Sequence, residues 1–144
     1  MKRRNIMLTK TIPFTDFNDV ERKEEFCFNL TKSEIMKLDL TTYGGLSARL
    51  QKIIDSPDIP TLTGIFEDFI MRSYGEKSDD GKHFDKGEDF SLFKKFKTTP
   101  AYDILFMELL QDSNTAADFI LGILPKDVRA QLEATPQYLE LTQK

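Results

Sequence analysis

"IMLTKTIPFTDFNDVERKEEFCFNLTKSEIMKLDL", residues 6–40, changes its hydrophobic period part-way along, and that change decides the fold. At the start of the stretch Ile6, Leu8, Ile12 and Phe14 take even positions, and Thr9, Thr11 and Thr15 take odd ones. Alternation of this kind is a strand with one buried face. "DFND" then supplies turn residues, and Asn18 and Asp19 tolerate left-handed backbone angles. On the return strand Val20, Phe26, Phe28 and Leu30 stay in phase. Arg22 and Glu24 break the stripe near the turn, where a hairpin tip projects into solvent. Pro13 has no N–H for a ladder, so the first strand is expected at a sheet edge. A lone hairpin is marginally stable and must pack on the rest of the chain or pair with another. At Thr31 the pattern turns helical. Thr31 and Glu34 form a capping box that satisfies the first free amides of a helix carrying Ile35, Met36, Leu38 and Leu40.

Helical spacing dominates the remainder of the chain. "TTYGG" interrupts, since paired glycines disfavour continuation. "LSARLQKIIDS" places Leu46, Leu50, Ile53 and Ile54 on a second helix, and the prolines of "SPDIPT" mark a corner. "LTGIFEDFIMRSY" aligns Leu62, Ile65, Phe66, Phe69, Ile70 and Tyr74. After a charged stretch, Phe90, Phe93 and Phe96 resume the period. Pro100, behind Thr98 and Thr99, suits the first turn of "AYDILFMELLQD". Ser113 or Asn114 is placed to cap "TAADFILGIL", which Pro125 ends, and "KDVRAQLEA" makes a weaker terminal helix. The expectation is one α+β domain over residues 1–144. It has an N-terminal β-hairpin (6–30), a mainly α-helical body of about six short helices (31–134) and a tail expected to fray (135–144).

Bulk properties exclude several classes of function. A net charge of −4 lacks the basic field that nucleic-acid binding needs, and "MKRR" is too brief to supply one. Nothing approaches the about 20 apolar residues of a membrane span, and the alternating "NIMLTKTIPF" is no signal-peptide core. A single cysteine, Cys27, rules out an internal disulfide and fits a reducing compartment, so the chain is expected in the cytoplasm. The aromatic content is twelve Phe and four Tyr without Trp, which suits a dry core or an apolar partner surface.

Chemistry, if present, belongs in "SYGEKSDDGKHFDKGEDF", residues 73–90, which holds the one histidine, His83, among six acids. A calcium loop needs glycine at its sixth position and glutamate at its twelfth. Counting from Asp79 puts Phe90 twelfth, and counting from Asp80 puts Asp85 sixth and Ser91 twelfth, so neither register works. Zinc needs paired ligands, and His83 and Cys27 stand far apart in sequence. No nucleophile elbow or carboxylate pair accompanies His83, and "YGG" lacks the lysine of a phosphate cradle. Cys27, on the strand face opposite Phe26 and Phe28, reads as packing or as an inert thiol. No catalytic residue, cofactor or metal is therefore assigned. "SDDGK" reads as a tight turn in which Gly81 supplies a positive φ, with Phe84 and Phe90 anchoring the loop.

Apolar density remains. "DILFMELL" carries more apolar positions than one buried stripe needs, and "DFILGIL" is also dense. Either these are two core helices, or part of them forms a patch for a partner chain, with Phe106, Met107, Leu110, Phe119 and Ile120 as the candidates. Adding an edge strand to a neighbouring copy is a second possible contact, which Pro13 partly blocks.

Several of these segments, in order from about Met7 to Asp127, resemble the tail assembly chaperones of long-tailed bacteriophages and prophages of Gram-positive bacteria. "DFNDVERKEEFCFNLTKSEIMKLDL" is similar to the opening of that family, "YGGLSARLQKII" to its next helix, "SYGEKSDDGKHFDK" to its most recognisable stretch and "TPAYDILFMELLQDSNTAADFILGILPKD" to its closing helical pair. "FND" departs from the family's glycine-containing turn, and "KHFDKGEDF" from its usual continuation. The resemblance implies a non-enzymatic protein of the host cytoplasm that binds the tape-measure protein and keeps it soluble. It would promote polymerisation of tail-tube (major tail) protein around the tape measure and be absent from the mature virion. It also implies possible self-association and a longer form made by ribosomal frameshifting. The competing readings are a phage connector or host-interaction module, and a small metal-dependent enzyme using Asp79, Asp80 and His83.

Overall fold

The computed structural model describes residues 7–41, 58–134 and 136. The helix expected at "LSARLQKIIDS", the basic start and, apart from Pro136, the tail expected to fray lie outside the described residues. The elements are β1 (Leu8–Thr15), β2 (Glu21–Phe28), α1 (Lys32–Thr41), α2 (Ile59–Ser73), β3 (Tyr74–Lys77), β4 (Phe84–Asp85), a short turn of 3-10 type (Glu88–Phe90), α3 (Ser91–Phe96), α4 (Pro100–Gln111), α5 (Ser113–Gly122) and α6 (Lys126–Glu133). This is a small α+β fold, with an N-terminal antiparallel hairpin followed by a mostly helical body.

The hairpin pairs Leu8 with Phe28 through to Thr15 with Glu21, and β1 stands at the sheet edge, where Pro13 costs no ladder bond to a further strand. Its expected alternation holds: Ile12 is buried and Leu8 and Phe14 are half-buried, while Thr9, Thr11 and Thr15 face out. Asp16 builds the turn. Its Oδ1 accepts the Asn18 and Val20 N–H groups at 2.8 and 3.0 Å, and its Oδ2 accepts Arg22 Nε at 2.5 Å. These bonds, the one from Arg22 foremost, hold the Asp16 carboxyl below its ordinary pKa. Asp19 takes the left-handed conformation at φ 62°. Val20 departs from the expected stripe and is exposed, because Glu21 to Glu25 all stand clear of the helical body.

The sheet is wider than the sequence suggests. Four strands run in the order β1-β2-β3-β4, all antiparallel, because Cys27 and Phe28 at the end of β2 pair with Gly75 and Tyr74. The charged stretch is thus a second hairpin. Gly75 is required by close approach, since a Cβ there would lie 2.7 Å from the Asp85 carbonyl oxygen and 2.8 Å from the Phe84 ring.

Caps fix the helix starts. Glu34 Oε1 accepts the Thr31 N–H at 2.8 Å, and Thr31 Oγ1 accepts the Glu34 N–H at 3.2 Å, the reciprocal capping box of α1. Ile35 is buried, whereas Met36 turns outward. Thr99 caps α4 ahead of Pro100. Asp112 caps α5 in place of Ser113 or Asn114: its Oδ1 accepts the Asn114 N–H at 3.0 Å and its Oδ2 the Thr115 hydroxyl at 2.9 Å. A carboxylate is the stronger acceptor at the positive end of a helix.

Phenylalanines and tyrosines fill the space between sheet and helices. Phe28, at the end of β2, meets Phe119 edge-on at 5.3 Å and Tyr74 at 5.6 Å. Tyr74 stacks on Phe96 at 4.4 Å with the rings 9° from parallel, and Phe96 meets Tyr102 edge-on. Burial pushes the phenols of Tyr74 and Tyr102 up to about 12. A lysine also reaches across this boundary. The Lys86 ammonium donates to Asn29 O at 2.8 Å, Arg72 O at 2.5 Å and Glu34 Oε2 at 2.7 Å, tying the second hairpin to the end of α2 and the start of α1.

Candidate partner-binding surface

Helix α4 distributes its apolar excess over two faces. Ala101, Tyr102, Leu105 and Leu109 recur at helical spacing and are buried against the body. Ile104 and Met107 point outward, 37% and 43% exposed, flanked by Asp103, Glu108 and Gln111. Phe106 and Leu110 sit half-buried at the margin, Phe106 stacked on Tyr102 with ring centres 5.7 Å apart. Lys10 on β1 reaches Glu108 at 3.7 Å, so the acids bordering this row are partly neutralised from the sheet edge.

Three of the five residues picked out in the sequence therefore reach the surface together. Phe106, Met107 and Leu110 lie on α4. Phe119 and Ile120 do not join them: at 3% and 1% exposure they belong to the core, Phe119 against Phe28. A continuous apolar run such as "DFILGIL" gives no phase by which to tell inner from outer positions. Ile104, missed in the sequence, completes the row. Its spacing of three from Met107 was the available signal.

Apart from Lys86, the hydrogen bonds of the acidic turn run within the turn itself. Asp80 Oδ1 accepts the Ser78 hydroxyl at 2.7 Å and the Lys82 N–H at 3.0 Å, and both bonds hold its carboxyl below the ordinary value. Ser78 Oγ accepts the His83 N–H at 3.0 Å, and Gly81 turns at φ 77°. Asp85 accepts the Gly87 N–H at 2.9 Å. Phe90 packs on the core from a left-handed conformation (φ 59°), and Phe84 lies across Gly75. Asp79 and His83 stand in solvent at the turn. Among the described residues, no three His, Cys, Asp or Glu side chains are grouped so as to hold a metal ion. Cys27 is a half-buried free thiol 3.8 Å from the Thr9 hydroxyl.

This geometry offers surfaces for contact: the outward row of α4 and a hairpin arm with Phe17 exposed at its tip. A family model described as phage tail assembly chaperone matches residues 7–144. The chain belongs to the phage tail assembly chaperone family. Comparison with curated proteins gives no match, and comparison with solved structures gives none either. Membership implies protein partners in tail assembly, and α4 presents Ile104 and Met107 as exposed apolar side chains on a capped, packed helix. No helix among the described residues is long and apolar enough to cross a membrane.

Proposed function

We propose that this tail assembly chaperone binds the tape-measure protein in the host cytoplasm and masks its apolar helical segments. It keeps the tape measure soluble until tail-tube protein displaces it, and it is left out of the mature virion. The row of Ile104 and Met107, bordered by Phe106 and Leu110, carries this reading. A flexible thioether beside branched and aromatic side chains adapts to helices of varied sequence. Each copy contributes a weak contact, and repetition along the long tape measure gives overall avidity while leaving single copies displaceable. The chain acts here by binding, without catalysis.

Met107→Asp tests the row. It places a charge on a partly exposed position in the second half of α4, four residues from Asp103. The circular dichroism spectrum should stay that of the folded parent while the melting temperature falls by about 2–4 °C, the cost of about 1 kcal/mol. Loss of an anchor of about 1–2 kcal/mol per copy should weaken tape-measure binding about 5–30-fold per site. Copurification of coexpressed tape measure should fall accordingly. A folded Met107→Asp variant that copurifies the tape measure in full would remove this row from the interface. Recovery of the chain in purified phage particles would favour a connector role instead.

A further inference from the structure

A second surface shares no residue with the row on α4. Phe26 of β2, Tyr74 of β3, and Leu92 and Phe96 of α3 form the floor of a groove of about 570 Å³. Lys94, Lys95, Thr98 and Thr99 border it, with Glu76 contributed by β3. The floor is rigid. Phe96 lies in the stack with Tyr74 and has Phe26 4.9 Å away, and Tyr74 and Phe96 are themselves fixed in the core. Preformed aromatic floors of this size bind bulky apolar side chains at little conformational cost.

The rim decides what else the occupant carries. Lys94 and Lys95 are exposed, and neither ammonium is paired with a carboxylate among the described residues, whereas Lys97 is held by Glu67 at 3.0 Å. On the rim these two cations stand against one carboxylate, Glu76, whose charge also reaches Tyr74, so the Lys94–Lys95 side of the groove is the side that favours carboxylates. We infer that the groove docks a short acidic–apolar segment of a partner protein. A bulky apolar side chain of that segment rests chiefly on the half-buried Phe26 and Leu92, above the buried Tyr74 and Phe96, and flanking carboxylates meet Lys94 and Lys95. This goes beyond the tape-measure reading and requires only that the chain works through protein contacts. Such a site gives the chaperone a handle for a second protein while α4 is occupied.

The probe is a fluorescein-labelled heptapeptide, Gly-Asp-Phe-Asp-Glu-Leu-Gly, added to the full-length ¹⁵N-labelled chain. Amide shifts should concentrate on Phe26, Tyr74, Leu92 and Phe96, and the α4 row should stay unmoved. A peptide with lysines in place of its acids should bind about tenfold more weakly, as should the parent peptide to the double variant Lys94→Glu, Lys95→Glu. Both substitutions are exposed, and an unchanged amide spectrum outside the groove confirms that the variant is folded. Three outcomes would each overturn the inference: no groove shifts at millimolar peptide, equal binding of the lysine peptide, or undiminished binding by the folded double variant. Failure of the tape-measure reading is scored separately by Met107→Asp, which should leave peptide binding intact.

Discussion

Phe28→Ala is expected to lower stability by about 3–5 kcal/mol, the usual cost of deleting a buried phenylalanine. Phe28 is fully buried at the point where hairpin, second hairpin and helices meet, paired with Leu8 on one side and Tyr74 on the other. Its ring also meets those of Phe96 and Phe119, so an alanine leaves a cavity walled by three other aromatics that are already packed and cannot collapse into it. Domains of this size hold about 5–15 kcal/mol in all, so the variant sits near the edge of folding. Chemical denaturation should give a sharply lower midpoint, and thermal unfolding a melting temperature lower by about 6–20 °C. Phe28→Leu keeps most of the volume and should cost about 1–2 kcal/mol. Equal losses for the two variants would show that the site is not the packing centre described.

Lys86→Met is the second large effect. The ammonium side chain is 11% exposed and satisfies two backbone carbonyls as well as the Glu34 carboxylate. Burial pulls its pKa below the ordinary lysine value, with Glu34 opposing. Methionine fits the stem but leaves Asn29 O and Arg72 O unpaired and the carboxylate without its cation. Breaking such a pair costs about 3–5 kcal/mol when fully buried, and the partial exposure of Glu34 lowers the expectation to roughly 2–4 kcal/mol. Glu34→Gln keeps an oxygen for the Thr31 N–H and should cost less, about 1 kcal/mol. A double-mutant cycle by urea denaturation should return a coupling between Lys86 and Glu34 above about 0.5 kcal/mol. Strict additivity would mean that the lysine acts only through the carbonyls.

The N-terminal hairpin was legible because one face is buried, so alternation at Leu8, Ile12 and Phe14 carries directly into structure. The capping box at Thr31 was legible because the signal is local, with both partners three residues apart. Strands β3 and β4 were not. "YGEK" and "FD" are too short to show alternation, and they become strands only because β2 is there to pair with Tyr74 and Gly75. Lys86 looked like one more charge in a charged run, since its three acceptors come from distant parts of the chain. The α4 row was half visible: density of apolar residues announced a surplus, but only packing shows that Met107 is outside and Phe119 inside. The aromatic groove had no sequence signature, being assembled from β2, β3 and α3.

The reading of this chain as a tape-measure chaperone is tested most directly by coexpression with the tape-measure protein of the same phage, measuring how much of the latter stays in the soluble fraction. The account predicts that the tape measure alone is largely insoluble. Coexpressed with this chain it should become soluble and copurify with several copies bound, and added tail-tube protein should release those copies. A tape measure that is equally insoluble with and without the chain, or that is soluble but carries none of it, would contradict the account.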